Sequence, residues 1–84
     1  MAEGNCVTIL FLGPLSDLAG KDSMEVDAPV DWQGLLDAIG ADVAEQLKLE
    51  RVNVACAGKV LGDKTTLQAV AGDEIALLPP VSGG

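Results

Sequence analysis

The residues with the clearest capacity for chemistry are the last six of the sequence, Pro79-Pro80-Val81-Ser82-Gly83-Gly84. Two consecutive prolines cannot donate hydrogen bonds to a sheet and favour an extended backbone, so we expect the chain to leave its folded domain there. Six extended residues reach about 20 Å at roughly 3.3–3.6 Å each, which is enough to carry a carboxylate into a neighbouring protein. Because Gly83 and Gly84 have no side chains, they would fit a tunnel that excludes larger residues. The alternative at this point is an ordinary frayed terminus.

The rest of the composition argues against several classes of function. The 84 residues suffice for one modest core, and a net charge of -8 repels phosphate backbones, so nucleic acid is not an expected partner. The longest apolar run, residues 7–12, is far below the roughly 20 residues of a membrane span, and residues 1–5 do not resemble a secretory signal. We therefore expect a soluble, cytoplasmic protein with no membrane contact, whose acidic surface favours encounter with basic protein surfaces.

No group of side chains has the pattern of a catalytic or metal site. The sequence contains no histidine and no tyrosine, so acid–base chemistry near neutral pH lacks its usual residues. Cys6 and Cys56 are far apart and have no neighbouring ligands at metal-binding spacing, which favours two core thiols. The carboxylates do not form the pattern of a calcium-binding loop. We expect no metal, no cofactor and no enzyme active site in this chain.

Alternating and helical patterns predict the elements that would hold the tail. Asp31 stands at the N-cap position of a helix whose apolar stripe continues to Leu47, interrupted by Gly40. Residues 67–70 have the composition of a short apolar connector. The economical arrangement is an α+β domain in which a mixed five-stranded sheet wraps one main helix. The predicted strands are residues 7–12, 23–27, 52–56, 60–61 and 74–78.

Three leucines are candidates for a docking surface beside the tail. In the first predicted strand, Leu10 and Leu12 face away from the side that carries Val7, Ile9 and Phe11, because successive side chains alternate between the two faces. Together with Leu78 they would form an apolar patch on which a partner docks. Burial of Leu10 and Leu12 in the core is the alternative.

The segment that carries the tail resembles a known family. Residues 72–84, GDEIALLPPVSGG, are similar to the end of the MoaD family, the small sulfur-carrier subunit of molybdopterin synthase. Phe11 followed by Leu18-Ala19-Gly20, and Val52-Asn53-Val54-Ala55 before a turn, match weaker family positions, so the resemblance covers nearly the whole chain. The sequence departs from the family at Ser16-Asp17, Ala57, Leu77 and Leu78, and none of these departures touches the terminal glycines.

The resemblance implies a β-grasp, ubiquitin-like fold over residues 1–78 with a flexible tail over residues 79–84. In the family, a MoeB-type adenylating enzyme couples the terminal carboxylate, here that of Gly84, to AMP, and a sulfur donor protein then supplies the sulfur of a thiocarboxylate. The tail, here Pro79 to Gly83 ahead of Gly84, enters the active site of the MoaE-type large subunit of molybdopterin synthase. There the sulfur passes to a pyranopterin precursor in molybdenum cofactor biosynthesis. ATP and the pterin are held by the partners, so the carrier itself is not an enzyme.

Three other functions remain compatible with the sequence. A ubiquitin-like modifier would join its activated Gly84 to a lysine amine as an isopeptide. A thiamin-pathway sulfur carrier would use the same tail chemistry, although such carriers are typically shorter and lack the two prolines. A passive interaction module would use the sheet face alone. Removal of Gly84 separates the last of these from the others, because it would abolish transfer and leave docking weakened but present.

Overall fold

A mixed five-stranded sheet forms the body of the protein in the computed structural model, which describes residues 5–80. The strand order is β2-β1-β7-β4-β5, and a separate two-stranded ribbon is formed by β3 and β6. In chain order the elements are β1 (Cys6–Phe11), α1 (Pro14–Ala19), β2 (Ser23–Asp27), β3 (Val30–Asp31), α2 (Trp32–Ile39), α3 (Ala41–Leu47), β4 (Asn53–Cys56), β5 (Lys59–Val60), a 3-10 turn (Lys64–Thr66), β6 (Gln68–Ala69) and β7 (Glu74–Leu78).

The two central strands are the first and the last. β1 and β7 run parallel, in a register that pairs Ile9 with Ile75 and Phe11 with Leu77, whereas the other neighbours in the sheet are antiparallel. Because parallel strands end at the same edge of a sheet, the end of β7 lies beside the end of β1. The point at which the chain leaves β7 is therefore next to the turn that follows β1.

The core lies between one face of this sheet and the helices. Along β1 and β7 every second residue is buried, as the two-residue period of a strand requires. The helices contribute a stripe that repeats every three or four residues. The buried residues are Val7, Ile9, Phe11, Leu15, Val30, Leu35, Ile39, Val43, Ala44, Leu47, Val52, Val54, Leu67, Ala69, Ile75 and Leu77.

The predicted main helix is divided into α2 and α3 at Gly40. Asp31 caps α2 as predicted, since its Oδ1 accepts a hydrogen bond of 2.8 Å from the Gly34 amide. Gly40 has a φ of 89° and a ψ of 161°, a conformation that other residues rarely adopt, so the helical hydrogen bonding stops there and begins again. Both pieces bury the same apolar stripe, including Ile39 and Leu47.

The β3–β6 ribbon was not predicted from the sequence patterns. Val30 pairs with Ala69 and Asp31 with Gln68, so the predicted connector of residues 67–70 contains a short strand. Strands of two residues are too short to show an alternating pattern. Lys64 holds the preceding turn against the body of the protein, because its Nζ donates to the carbonyl oxygens of Leu49 and Val52.

Within residues 5–80, none of the helices has the length and apolar character needed to cross a membrane.

Candidate docking face and tail exit

An apolar row crosses the face of the sheet opposite the core, here called the outer face. Leu10 of β1 is next to Ala76 of β7, Ala76 is next to Ala55 of β4, and Ala55 pairs with Val60 of β5. The first three residues are half-buried, whereas Val60 at the edge of the sheet is 60% exposed. The row is a continuous apolar surface on four neighbouring strands.

A second row lies nearer to the end of the sheet. Leu78 pairs with Asn53 on one side. On the other side, Leu12 follows the last β1–β7 pair, Phe11 with Leu77, so the alternation of the strands puts Leu12 beside Leu78. Leu12 is 39% exposed and Leu78 is half-buried. Leu10, Leu12 and Leu78 thus share the outer face, as the sequence predicts, while their role in docking remains a prediction.

The opposite end of the outer face is acidic. Thr8 lies between Glu25 of β2 and Glu74 of β7, and Cys6 pairs with Asp27. The three carboxylates are exposed. They form a negative border of the apolar rows at the end of the outer face remote from the tail. This border is complementary to a surface that has basic groups beside an apolar patch.

The tight turn between β4 and β5 brings Val60 onto this face. Ala57 has a φ of 53° and Gly58 a φ of 85°, so both central residues have the left-handed backbone of a type I′ hairpin. This two-residue turn fixes the pairing of Cys56 with Lys59 and therefore the position of Val60 beside Ala55. Sequence reasoning omitted Ala55, Val60 and Ala76 from the docking surface. The alternating pattern of residues 52–56 and the Ala57-Gly58 turn were the signals that could have identified them.

The tail begins at the end of this face. β7 ends at Leu78, Pro79 is half-buried and Pro80 is exposed. Pro79 and Pro80 lack amide protons, so the sheet ladder cannot continue through them. The predicted tail residues Val81, Ser82, Gly83 and Gly84 lie outside the described residues, and their roles in activation and threading remain predictions.

The surroundings of Cys56 make its thiol less reactive. Burial of Cys56 raises the pKa of its thiol, and the carboxylate of Asp73, whose Oδ2 is 3.9 Å from Sγ, raises it further by its charge and as a hydrogen-bond acceptor. A thiol with a raised pKa is a weaker nucleophile at neutral pH, because less thiolate is present. In the part of the chain that the structure describes, no three His, Cys, Asp or Glu side chains are grouped in a way that could hold a metal ion.

Comparison with known proteins identifies the family. The model of the ThiS family matches residues 9–84. SAMP1 from Haloferax volcanii is 28% identical in sequence, with a TM-score of 0.69 over 94% of this chain and 99% of that one. A chain of the complex of subunits 1 and 2 of molybdopterin-converting factor from Helicobacter pylori is 25% identical, with a TM-score of 0.63 and the same coverage, 94% and 99%.

A further structure agrees in fold alone. The putative molybdopterin converting factor subunit 1 from Pyrococcus furiosus is 24% identical, with a TM-score of 0.66 over 90% of this chain and 98% of that one. Among curated proteins none matches this sequence.

The matches confirm the predicted β-grasp fold, with its mixed five-stranded sheet packed against helices. The matches indicate that the protein is either a small sulfur carrier or a ubiquitin-like modifier. Since the family model extends over nine-tenths of the sequence, the chain belongs to the ThiS family.

Proposed function

We propose that this protein is the sulfur-carrier subunit of a molybdopterin synthase and that it carries the sulfur on Gly84. The observation that carries the proposal is the family match over residues 9–84, which runs through the whole tail to the terminal glycine. The similarity to a chain in the Helicobacter pylori complex supports a MoaE-type large subunit as the partner. The domain supplies the docking face and the tail supplies the reacting carboxylate.

Activation of Gly84 needs a leaving group, because a free carboxylate is a poor electrophile. A carboxylate oxygen attacks the α-phosphorus of ATP on a MoeB-type enzyme, which forms an acyl adenylate and releases pyrophosphate. Sulfur at the oxidation level of sulfide, supplied by a donor protein, then attacks the acyl carbon and displaces AMP. The product is a thiocarboxylate, in which one carboxylate oxygen has been replaced by sulfur. This chain contributes the electrophilic carbon and the partners contribute the nucleotide site.

The outer face gives the carrier a way to present Gly84. A large subunit seated on the row from Leu10 to Val60 would lie next to Leu78, where the chain leaves the sheet. The tail could then reach the partner's active site over about 20 Å of extended chain. The border formed by Glu25, Asp27 and Glu74 favours a partner with basic groups around its apolar socket, since unlike charges speed encounter and fix orientation.

Intact-mass measurement tests the proposal directly. The protein is incubated with the adenylating enzyme of its own organism, ATP and a sulfur donor, in parallel with the chain that lacks Gly84. We expect the full chain alone to gain the mass difference between sulfur and oxygen. The carrier that bears the thiocarboxylate is then mixed with the large subunit and the pyranopterin precursor. We expect dithiolene formation and loss of the added mass. An unchanged mass with a demonstrably active enzyme would refute the carrier role and leave a protein modifier or a passive interaction module.

The second candidate is a protein modifier, which the similarity to SAMP1 from Haloferax volcanii favours. In that case the acyl adenylate or a later thioester is attacked by a lysine amine, and an isopeptide forms with loss of the leaving group. Tryptic digests of proteins from the source organism would then contain lysines that bear the residues of this tail. Transfer of sulfur to a thiazole precursor, without transfer to the pyranopterin precursor, would instead indicate a thiamin-pathway carrier.

A further inference from the structure

The first residue of the tail packs against the turn that follows β1. A β-carbon built on Gly13 would stand 3.4 Å from the Cγ atom of Pro79, at the near limit of ordinary van der Waals contact. Gly20, Gly40, Gly58 and Gly72 also have positive φ values in the described part of the chain, but a β-carbon on any of them would meet nothing within 4 Å. Gly13 is therefore distinguished by its closeness to Pro79 as well as by its backbone.

The turn that carries Gly13 is rigid. Gly13 has a φ of 57° and a ψ of -133°, the conformation of the first central residue of a type II′ turn, and Pro14 occupies the second central position. The Leu15 amide closes the turn by donating a hydrogen bond of 3.1 Å to the carbonyl oxygen of Leu12. Since proline fixes its own φ, the surface that the turn presents to Pro79 has little freedom to move.

Packing is what can fix the path of the chain at Pro79. The parallel pairing of β1 with β7 brings the two strand ends together at Phe11 and Leu77. Beyond that pair the tail has no amide proton at Pro79 or Pro80 with which to hold itself to a neighbour. Pro79 is nevertheless half-buried, whereas Pro80 is exposed. The contact with Gly13 therefore lies at the last point where the domain can direct the tail.

We propose that Gly13 is a positioning residue: Pro79 lies against it at the β1–α1 turn, with room for no more than a methyl group between them, and this contact sets the direction in which the tail leaves the domain. The kinetic consequence rests on the proposed function. The apolar rows of the outer face bind the partner, while Gly13 decides where the tail points once the partner is bound. A tail that leaves the domain in the wrong direction lowers kcat in the complex with the partner more than it lowers the affinity for that partner.

The test compares Gly13→Val with Gly20→Val. Both substitutions put a β-branched residue at a positive φ, at the two ends of α1, but Gly20 has open space around it. In thiocarboxylate formation by the adenylating enzyme, we expect Gly13→Val to lower kcat on the order of tenfold to a hundredfold, with little change in the KM for the carrier. We expect Gly20→Val to leave kcat unchanged. Equal kcat values for the two variants, or a loss confined to KM, would overturn the proposal.

Solution NMR separates this inference from the proposed function. In the unsubstituted protein we expect a nuclear Overhauser contact between the Gly13 α-protons and the Pro79 ring, and its absence would overturn the proposal. We also expect Gly13→Val to shift the amide signals of residues 81–84, and Gly20→Val to leave them in place. If Gly13→Val does not fold, the nuclear Overhauser contact in the unsubstituted protein still decides the inference. Failure of the unsubstituted chain to acquire sulfur would refute the proposed function, and the NMR result would still decide the packing.

Discussion

Replacement of Ala57 by asparagine is expected to stabilise the protein. Ala57 is the non-glycine residue with a positive φ among residues 5–80, and its φ of 53° places it in the left-handed region. There the β-carbon of an L-residue crowds the following carbonyl oxygen, at a cost of roughly 1–2 kcal/mol. Asparagine tolerates this region several-fold better than alanine does, and Asn-Gly is the preferred pair for a type I′ hairpin turn. The Ala57 amide donates to the Glu74 carbonyl oxygen at 3.0 Å, and the substitution keeps that bond.

The size of the gain follows from these terms. A several-fold preference corresponds to about 0.5–1 kcal/mol, because a tenfold preference is about 1.4 kcal/mol. For a domain of this length, 1 kcal/mol shifts the melting temperature by about 4–8 °C. We therefore expect Ala57→Asn to raise the melting temperature by roughly 2–8 °C. Ala57→Gly should stabilise by a similar amount, since relief of the roughly 1–2 kcal/mol of strain is partly offset by about 0.4–1 kcal/mol of chain entropy that glycine adds to the unfolded state.

Thermal and urea unfolding, followed by far-ultraviolet circular dichroism, measure the effect. Ala71→Asn is the matched control, because Ala71 is also an exposed turn residue but has no left-handed backbone. We expect the control to leave the free energy of unfolding nearly unchanged. No gain in Ala57→Asn, or an equal gain in Ala71→Asn, would refute the assignment of strain to residue 57.

Three further outcomes are expected. Val60→Ser should weaken docking to the proposed large subunit about fivefold, since roughly 1 kcal/mol of apolar burial is lost. Val70→Ser should not weaken it, because Val70 is similarly exposed, at 58%, but follows the separate ribbon. Calorimetric titration of both variants measures the difference. Hydrogen bonds from the Thr65 hydroxyl and amide lower the pKa of Asp63. The stabilising effect of this carboxylate is therefore complete above the ordinary pKa of an aspartate and is lost as the pH falls through the lower pKa of the folded state. The difference in melting temperature between the unsubstituted protein and Asp63→Asn should therefore shrink on acidification, and a constant difference from pH 7 to pH 2 would contradict this assignment. Asp73→Asn should speed alkylation of Cys56 at pH 8, as followed by mass spectrometry in a Cys6→Ser background, because the carboxylate no longer raises the pKa of the thiol; an unchanged rate would leave burial as the whole cause.

Elements with a regular period were predictable from the sequence, and those fixed by distant partners were not. The alternation in β1 and β7 and the apolar stripe ending at Leu47 each reflect burial of one face, which leaves its period in the local sequence. The β3–β6 ribbon depends on the pairing of Val30 with Ala69, residues almost forty positions apart. Two-residue strands carry no period, so only the tertiary structure reveals that pairing.

Some residues of the candidate docking face were likewise predictable from the sequence, and others were not. Leu10, Leu12 and Leu78 could be assigned to one surface from strand alternation and the position of the tail, and the structure puts them on the outer face. Ala55 and Val60 were omitted, because their place beside Leu10 and Ala76 depends on the order in which four strands assemble. Strand order is a property of the whole chain, and alternation within one strand does not contain it.

The parallel pairing of the first and last strands accounts for the closeness of docking face, turn and tail. If β7 ran antiparallel to β1, its end would lie at the opposite edge of the sheet, beside Cys6, and the tail would emerge by the acidic border. In the parallel arrangement Leu78 and Pro79 instead emerge beside Leu12 and Gly13. The chain therefore leaves the sheet at the apolar end of the outer face, from the one edge where a partner bound to the leucines would also meet the tail.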